Sequence, residues 1–508
     1  MQTAFVNADV TTLDPARPGA RGILVADTRI DRLLEDTPVG LPHDVRVVDC
    51  HGAAIVPGLH DCHVHLTDAG LLAGRHDVRD CANIAAVLRR VEELSRDGGA
   101  SDAPLYAGNY DEALIAERRP PTRTELDGVA PTRPVLLTRV DGHSCVVNSA
   151  ALELLGAAAF AGAERDASGV LSGRLTGPAN YEAQNGVIRR LSRDARRAAC
   201  GRAAEIALRA GITTVHHVIA TDAPLEQLEE VYRDDADLPL RVISKACSTD
   251  VQKMKRLGRR VFGGDVFVDG SIGSRTAALC DGYRGSDDRG RLYLTGAQLT
   301  ELFDEATRAG LSFGVHAIGD RAIEEVIAAW EAVAAKCELP TGVRPSIDHF
   351  EIARPDQIAR AARLGMLLSV QPAFDHLWGG DDGMYAERLG SDRARGMNLF
   401  KSAQRAGCVI CGGSDAPVTQ LSAMLGIHAL MNHHVAGERF TPEEALRAYT
   451  AHAAKLSFDE RRRGVLAPGY DADFTLVKRR FDAVEPSTVK DVPVLGTVVA
   501  GEIRYWGM

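Results

Sequence analysis

At 508 residues, with 45% apolar and 25% charged side chains, the chain has an ordinary globular composition and enough length for one large domain with appendages. No window approaches the apolar run that spans a bilayer, and a net charge of −10 with a pI near 5.9 argues against the basic face that nucleic acid or anionic lipid attracts. The start has no basic segment followed by an apolar one, so no secretory signal is expected; a cytoplasmic location is the default, and ten scattered cysteines fit reduced thiols there.

Residues 1–57 read as short strands with turns: "TAFVNADVTTL", "GILVADTRIDRLL" and "VRVVDCHGAAIVPG" cluster β-formers between Gly, Pro and Asp. The C-terminal stretches "GVLAPGYDADFTLVKRRF" and "VLGTVVAGEIRYWG" repeat that texture. The two ends, 1–57 and 464–508, are therefore expected to pair into one small β-domain. Within the remaining 58–463, the chain from about residue 205 alternates apolar β-rich runs with amphipathic helical stretches, the pattern of repeated βα units in a parallel sheet, and one further strand precedes it. The runs are "IVPGLHDCHVHL", "GITTVHHV", "LRVISKA", "DVFVDG", "LSFGVHAIG", "SIDHFEI", "MLLSVQP" and "CVICGGSDAP", eight in all, the number that closes a TIM-type barrel. Helix ends between them are marked. Thr441, Pro442 and Glu444 form a capping signal at the head of "TPEEALRAYTAHAAKL", and "TGAQLTELFDEATRAG" ends on Gly310. The long stretch from about 72 to 200 exceeds any βα loop and reads as an inserted subdomain over the barrel mouth. The pair Cys408 and Cys411 in "CVIC" lies within an apolar run and reads as buried strand rather than a redox or zinc motif.

"HDCHVHL" carries the first chemical signal. Side chains alternate along a strand, so Asp61, His63 and His65 share one face, and two imidazoles at this spacing can bind one ion. Three more groups of the same kind close later strands: His316, His349 and Asp415. All strand ends of a parallel barrel open to one mouth, so these five groups are expected to converge in one cleft as a metal site.

In order along the chain, "VPGLHDCHVHL", "RPVLLTRVDGHSCVVNSAAL", "AGITTVHHV", "VDGSIGSRTAAL", "GVHAIGDRAI", "SIDHFEI", "SVQPAF", "GGSDAPV" and "RRRGVLAPGYDADFTLV" resemble the motifs of the amidohydrolase superfamily, in its YtcJ-like branch, amidohydrolase family 3. The resemblance implies a distorted (β/α)8 barrel with a β-sandwich from both termini and a metal-dependent hydrolase site. It implies His63 and His65 as ligands of a first metal, with Asp415 as its last ligand and proton shuttle. His316 and His349 are implied as ligands of a second metal or, in one-metal relatives, as a ligand and a substrate-polarising group. Similar proteins commonly carry a lysine, carboxylated and bridging two metals, where this chain has Asp265. That leaves one or two divalent ions, zinc favoured by the ligand types, with Asp265 an open ligand. Relatives are often homodimers.

The activity expected is hydrolysis of a non-peptide C–N bond, an amide, formamide or cyclic amide of a small molecule, with Asp415 as general base and then acid and an oxyanion held by the metal or His349. Hydrolytic deamination of a ring amidine with one metal is the alternative, and a non-catalytic binding protein on the same fold a third reading. His143, Arg275, Tyr110 and Trp378 are candidates for substrate contact, and at most one of His216 and His217 is expected to point inward. Asp375 and His376 follow the seventh strand at the end suited to substrate recognition. His428, His433 and His434 are expected to be structural.

Overall fold

The computed structural model describes residues 2–36, 44–73, 76–97, 104–157, 160, 163–219, 224–336 and 339–508. Its middle holds eight parallel strands: β1 Leu59–Val64, β2 Ile212–Ile219, β3 Arg241–Ala246, β4 Val261–Phe267, β5 Ser312–Ala317, β6 Ser346–His349, β7 Leu367–Val370 and β8 Val409–Gly412. Nearly every position of β1, β2 and β5 is buried, as parallel strands covered on both faces require. They pair as two arcs, β3-β2-β1 and β4-β5-β6-β7-β8, and among the described residues no sheet is closed. The arcs meet at both edges. β3 lies beside β4, where the Cys247 thiol reaches the Gly263 carbonyl at 3.3 Å. β1 lies beside the end of β8, where Val64 bridges Ala416 and the Asp415 amide donates to the His63 carbonyl at 2.8 Å.

Two of the expected strands have different bounds. The run at 55–66 is broken at Gly58 into Ala54–Pro57, which pairs antiparallel with Phe474–Val477, and β1, which ends at Val64, so His65 lies just past the strand. The run expected at 265–270 begins at Val261, because Gly263 and Gly264 adopt φ of +82° and +103° and carry the strand through a bulge that a propensity reading takes for a break. The helix expected over 441–456 is split into Pro442–Ala448 and Ala451–Leu456: the Tyr449 carbonyl accepts from the His60 amide of β1 instead of continuing the helical ladder. Its capping box, Thr441 with Glu444 and Pro442 in the first turn, is present, as is one from Thr295 and Gln298 at the head of Gly296–Arg308. Phe303 of that helix stacks on Trp330 of Asp320–Lys336, centroids 4.3 Å apart.

The chain ends do pair. A six-stranded sheet takes Asp9–Thr11, Gly19–Ala20 and Ala54–Pro57 from one end and Phe474–Val477, Val494–Val499 and Glu502–Trp506 from the other. A four-stranded sheet is built from Gln2–Val6, Gly22–Ala26, Arg29–Leu34 and Val45–Asp49, and a common apolar core joins the two, with Phe5 edge-on to Phe474 at 4.8 Å. Between β1 and β2 stands a further five-stranded sheet, with Leu105–Tyr110, Val135–Arg139 and Ser144–Val147 among its strands. Cys408 and Cys411 are buried free thiols at β8. No helix among the described residues is long and apolar enough to cross a membrane.

Candidate metal centre

At the C-terminal ends of β1, β4, β5, β6 and β8, the five groups expected to converge surround Asp265. The Asp265 carboxylate lies 2.9 Å from His65 Nε2, 3.4 Å from His63 Nε2, 3.6 Å from His316 Nδ1 and 3.7 Å from His349 Nε2. Asp415 Oδ1 stands 3.2 Å from His65 Nε2 and 3.5 Å from His63 Nε2. The short stem of Asp265 therefore reaches all four imidazoles, aided by the bulge in β4, which redirects the strand just before it.

Local backbone geometry aims the other groups. His349 and Asp415 have φ of +76° and +56°, a conformation that costs energy for side-chain-bearing residues and persists where the surroundings fix it. Asp348 already faces the interior on β6, and the turn at His349 brings its neighbour to the same side. Gly413 lets the segment after β8 approach β1, since a Cβ there would stand 2.7 Å from the His63 amide nitrogen. Asp61 ties the same two segments, its Oδ1 accepting from the amides of Ser414 at 2.9 Å and His63 at 3.2 Å. It acts as a brace, unlike the histidines with which it was grouped on one strand face.

Burial disfavours charge throughout the cluster, yet the opposed charges outweigh it. Burial lowers the pKa of His63, but Asp265 and Asp415 raise it further, to about 10; His65 is raised well above its usual range by the same carboxylates. Burial raises Asp265, and the charges of His63 and His65 reverse this and hold it well below the carboxylate range. His349 is the exception, lowered by burial and by His316 beside it. The cluster is thus built to share positive charge. His63 Nε2, His316 Nδ1, His349 Nε2, Asp265 Oδ1 and Asp415 Oδ1 are buried with no hydrogen-bond partner, and the ligand atoms of His63, His65 and Asp415, and of His63, Asp265 and His349, lie within 4.8 Å of one another. Buried orphan nitrogens and oxygens at that spacing fit a divalent cation, which satisfies them together.

Residues that the sequence reading passed over support this centre. Asp348 Oδ1 is 2.7 Å from His63 Nδ1, which fixes the tautomer and turns Nε2 toward Asp265. Lys245 of β3 is buried, donates from Nζ to the Cys62 carbonyl at 3.3 Å, and helps hold Asp348 ionised. A lysine near the end of the β-forming run "LRVISKA", past Arg241 at its start, was the available signal. The inserted segment supplies His143, whose ring lies 5.3 Å from that of His316 and whose Nδ1 meets the Tyr181 hydroxyl. Burial lowers His143 to a pKa of about 4, so the ring is neutral. Tyr181 stacks on Phe267 at 4.3 Å. The segment is docked through Asp141, which accepts from Ser271 Oγ at 2.6 Å and Ser274 Oγ at 2.8 Å in the loop after β4.

A cleft of about 1070 Å³ opens onto the cluster, lined by His65, Asp265, His316, His349 and Asp415 together with His143 and Tyr181. Two expected substrate contacts are elsewhere. Tyr110 is buried in the core of the inserted segment, its strand alternation broken by Asn109 at φ +69°; Tyr106 and Asn109 line the cleft instead. Arg275 is exposed, because the loop after β4 spends its serines on Asp141 and turns Arg275 to solvent; the buried Arg139, paired with Glu112 and Asp141, is the guanidinium at the cleft. Trp378 lines an adjoining chamber. Both His216 and His217 are buried; His217 borders the cleft with Nδ1 2.8 Å from Asp235, while neither nitrogen of His216 has a partner. His376 is exposed against His428, and Asp375 lies against His433 and His434.

The sequence and the fold have counterparts among known proteins. The model of the amidohydrolase family matches residues 46–505, and the chain belongs to that family. It is 28% identical to YtcJ of Bacillus subtilis (strain 168) over 95% of this chain and 94% of that protein. It is also 28% identical to the N-substituted formamide deformylase of Arthrobacter pascens, over 99% of this chain and 98% of that enzyme. Its fold is that of an uncharacterized metal-dependent hydrolase from Pyrococcus furiosus, with a TM-score of 0.74 at 24% identity, covering 96% of this chain and all of the other.

Proposed function

We propose that this protein is a metal-dependent hydrolase of a non-peptide carbon–nitrogen bond: an amide, formamide or cyclic amide of a small molecule. The observation that carries the reading is the convergence of His63, His65, His316 and His349 on Asp265 and Asp415, with buried ring nitrogens that have no other partner. The formamide deformylase relative supports a formamide within that range. The same reading takes the two arcs as one distorted (β/α)8 barrel over residues 58–463, with an inserted subdomain at about 72–200 and a β-sandwich of 1–57 and 464–508, in a cytoplasmic enzyme.

The six residues would hold one or two divalent ions, zinc by ligand chemistry. When bound, such an ion supplies Lewis acidity and a water acidified toward neutrality. Asp415, facing His63 and His65 with one oxygen unpartnered, accepts the proton of the attacking water and returns it to the leaving nitrogen as the C–N bond breaks. His349 stays neutral and polarises the carbonyl oxygen where it is not itself a ligand. His143, oriented by Tyr181, presents its other ring nitrogen to the substrate.

The test joins elemental analysis of the purified protein with amine release from N-substituted formamides. Zinc in the wild type, and Asp415→Asn that folds normally but turns nothing over, are the expected results. Full activity in Asp415→Asn refutes the proton-transfer role. Ammonia release from a ring amidine, with no amide cleaved, turns the reading to the deaminase.

A further inference from the structure

Beside the cleft lies a second chamber of about 460 Å³, and the two share a wall that includes Arg139, Asp141, His143, His349 and Asp415. Its polar lining sets the carboxylates Asp111, Glu351 and Asp415 beside His143, Ser271 and His349, while Asp141 and Arg139 are taken up by each other, Asp141 also by Ser271 and Ser274 and Arg139 also by Glu112. The far wall is apolar, built from Ile272, Ile318, Phe374, Trp378, Met384 and Val418. Tyr385 donates its hydroxyl to Glu351 at 2.7 Å, which spends its polar end and leaves its ring as wall.

The wall is fixed in place. Trp378 ends the helix Pro372–Trp378, and one turn earlier Asp375 accepts from the His434 amide at 3.2 Å and lies 3.3 Å from His433 Nε2. The His433 Nδ1 accepts from the Val435 amide at 3.1 Å, so its proton is on Nε2, facing Asp375. Asp375, His433 and His434 therefore form a brace rather than a cation site, and they hold the aromatic helix against the segment after β8. Phe374 lies parallel to the His349 ring, at 6.2 Å.

We propose that this chamber receives the amine half of the substrate, and that Phe374, Trp378 and Met384 select an apolar substituent on the scissile nitrogen. The inference rests on the amide-hydrolysis reading, in which Asp415 must reach the leaving nitrogen, and Asp415 borders both cavities. The leaving amine takes the Asp415 proton as the C–N bond breaks and picks up a second proton at neutral pH. Its cationic head then faces carboxylates and its tail the apolar wall, while the acyl half stays in the larger cleft.

Binding of methyl-, butyl- and hexylamine to the metal-loaded protein, measured by calorimetry, tests this without requiring turnover. Affinity is expected to rise roughly fourfold per methylene buried, and to lose most of that rise in Trp378→Ala and, separately, in Met384→Ala. The kcat/KM of N-alkylformamides should climb in parallel in the wild type. Affinity indifferent to chain length, or a rise kept by both folded variants, overturns the inference even if formamides are hydrolysed. A rise lost in the variants, with no amide cleaved, upholds the chamber as an apolar amine site and refutes the reaction instead.

Discussion

Asp348 touches no substrate, yet its loss should be felt at the metal. Its carboxylate accepts from His63 Nδ1 at 2.7 Å in a site from which solvent is excluded, with Lys245 beside it. Asp348→Asn keeps the shape and an acceptor oxygen but removes the charge that fixes the imidazole tautomer and raises the basicity of Nε2. Carboxylates bonded to a ligating imidazole in this way contribute about 10- to 100-fold in metal affinity, or ~1.4–2.7 kcal/mol. A charge-assisted hydrogen bond of this kind gives a similar ~1.5–3 kcal/mol. Competition with a chromophoric zinc chelator measures the change directly, and circular dichroism reports whether the variant is folded. Zinc affinity within about twofold of the wild type, in a folded Asp348→Asn protein, would refute both the ligand role of His63 and the argument that Asp348 orients it.

Asp265 lies among all four imidazoles, so Asp265→Ala should lower the metal content per chain, or weaken retention against a chelator if one ion remains; unchanged stoichiometry and affinity exclude it as a ligand. Acid sensitivity should come partly from buried histidines. Burial and the nearby Arg463 lower His60 to a pKa of about 3, and burial lowers His452 to about 4, so the unfolded chain takes up protons that the fold refuses. Stability should fall as pH drops below about 6.5, with a limiting slope of about 1.4 kcal/mol per pH unit for each ring, and denaturant midpoints for His60→Asn should show a shallower fall than the wild type. Trp330→Ala removes the fully buried ring stacked on Phe303 and should cost about 3–5 kcal/mol by urea unfolding; a loss below about 1 kcal/mol would mean the two helices are not packed as described.

The sequence made the candidate cluster legible because histidines and a carboxylate stand at the ends of apolar runs, where parallel strands must open to one side. It was less informative wherever the backbone leaves regular alternation. Asp348 and His349 both face the centre only because His349 takes a left-handed conformation, which a two-residue period assigns to opposite faces. Tyr110 was a candidate through the family resemblance, and its ring lies in the core of the inserted segment, beside Asn109 in a left-handed conformation. The bulge at Gly263 and Gly264 hid the true start of β4, although Asp265 was identified. Tyr181 and Arg139 belong to the segment between β1 and β2, whose approach to the strand ends is set by long-range pairs such as Asp141 with Ser271, and no local pattern encodes those.

The residue at the middle of the cluster also bears on how the centre is assembled. A carboxylated lysine is a reversible adduct of an amine with carbon dioxide, so a site that depends on one is complete only where bicarbonate is available. Asp265 brings its carboxylate with the polypeptide, already within 2.9 Å of His65 Nε2. Once the strands have folded, its oxygens are in position without a gas-derived modification.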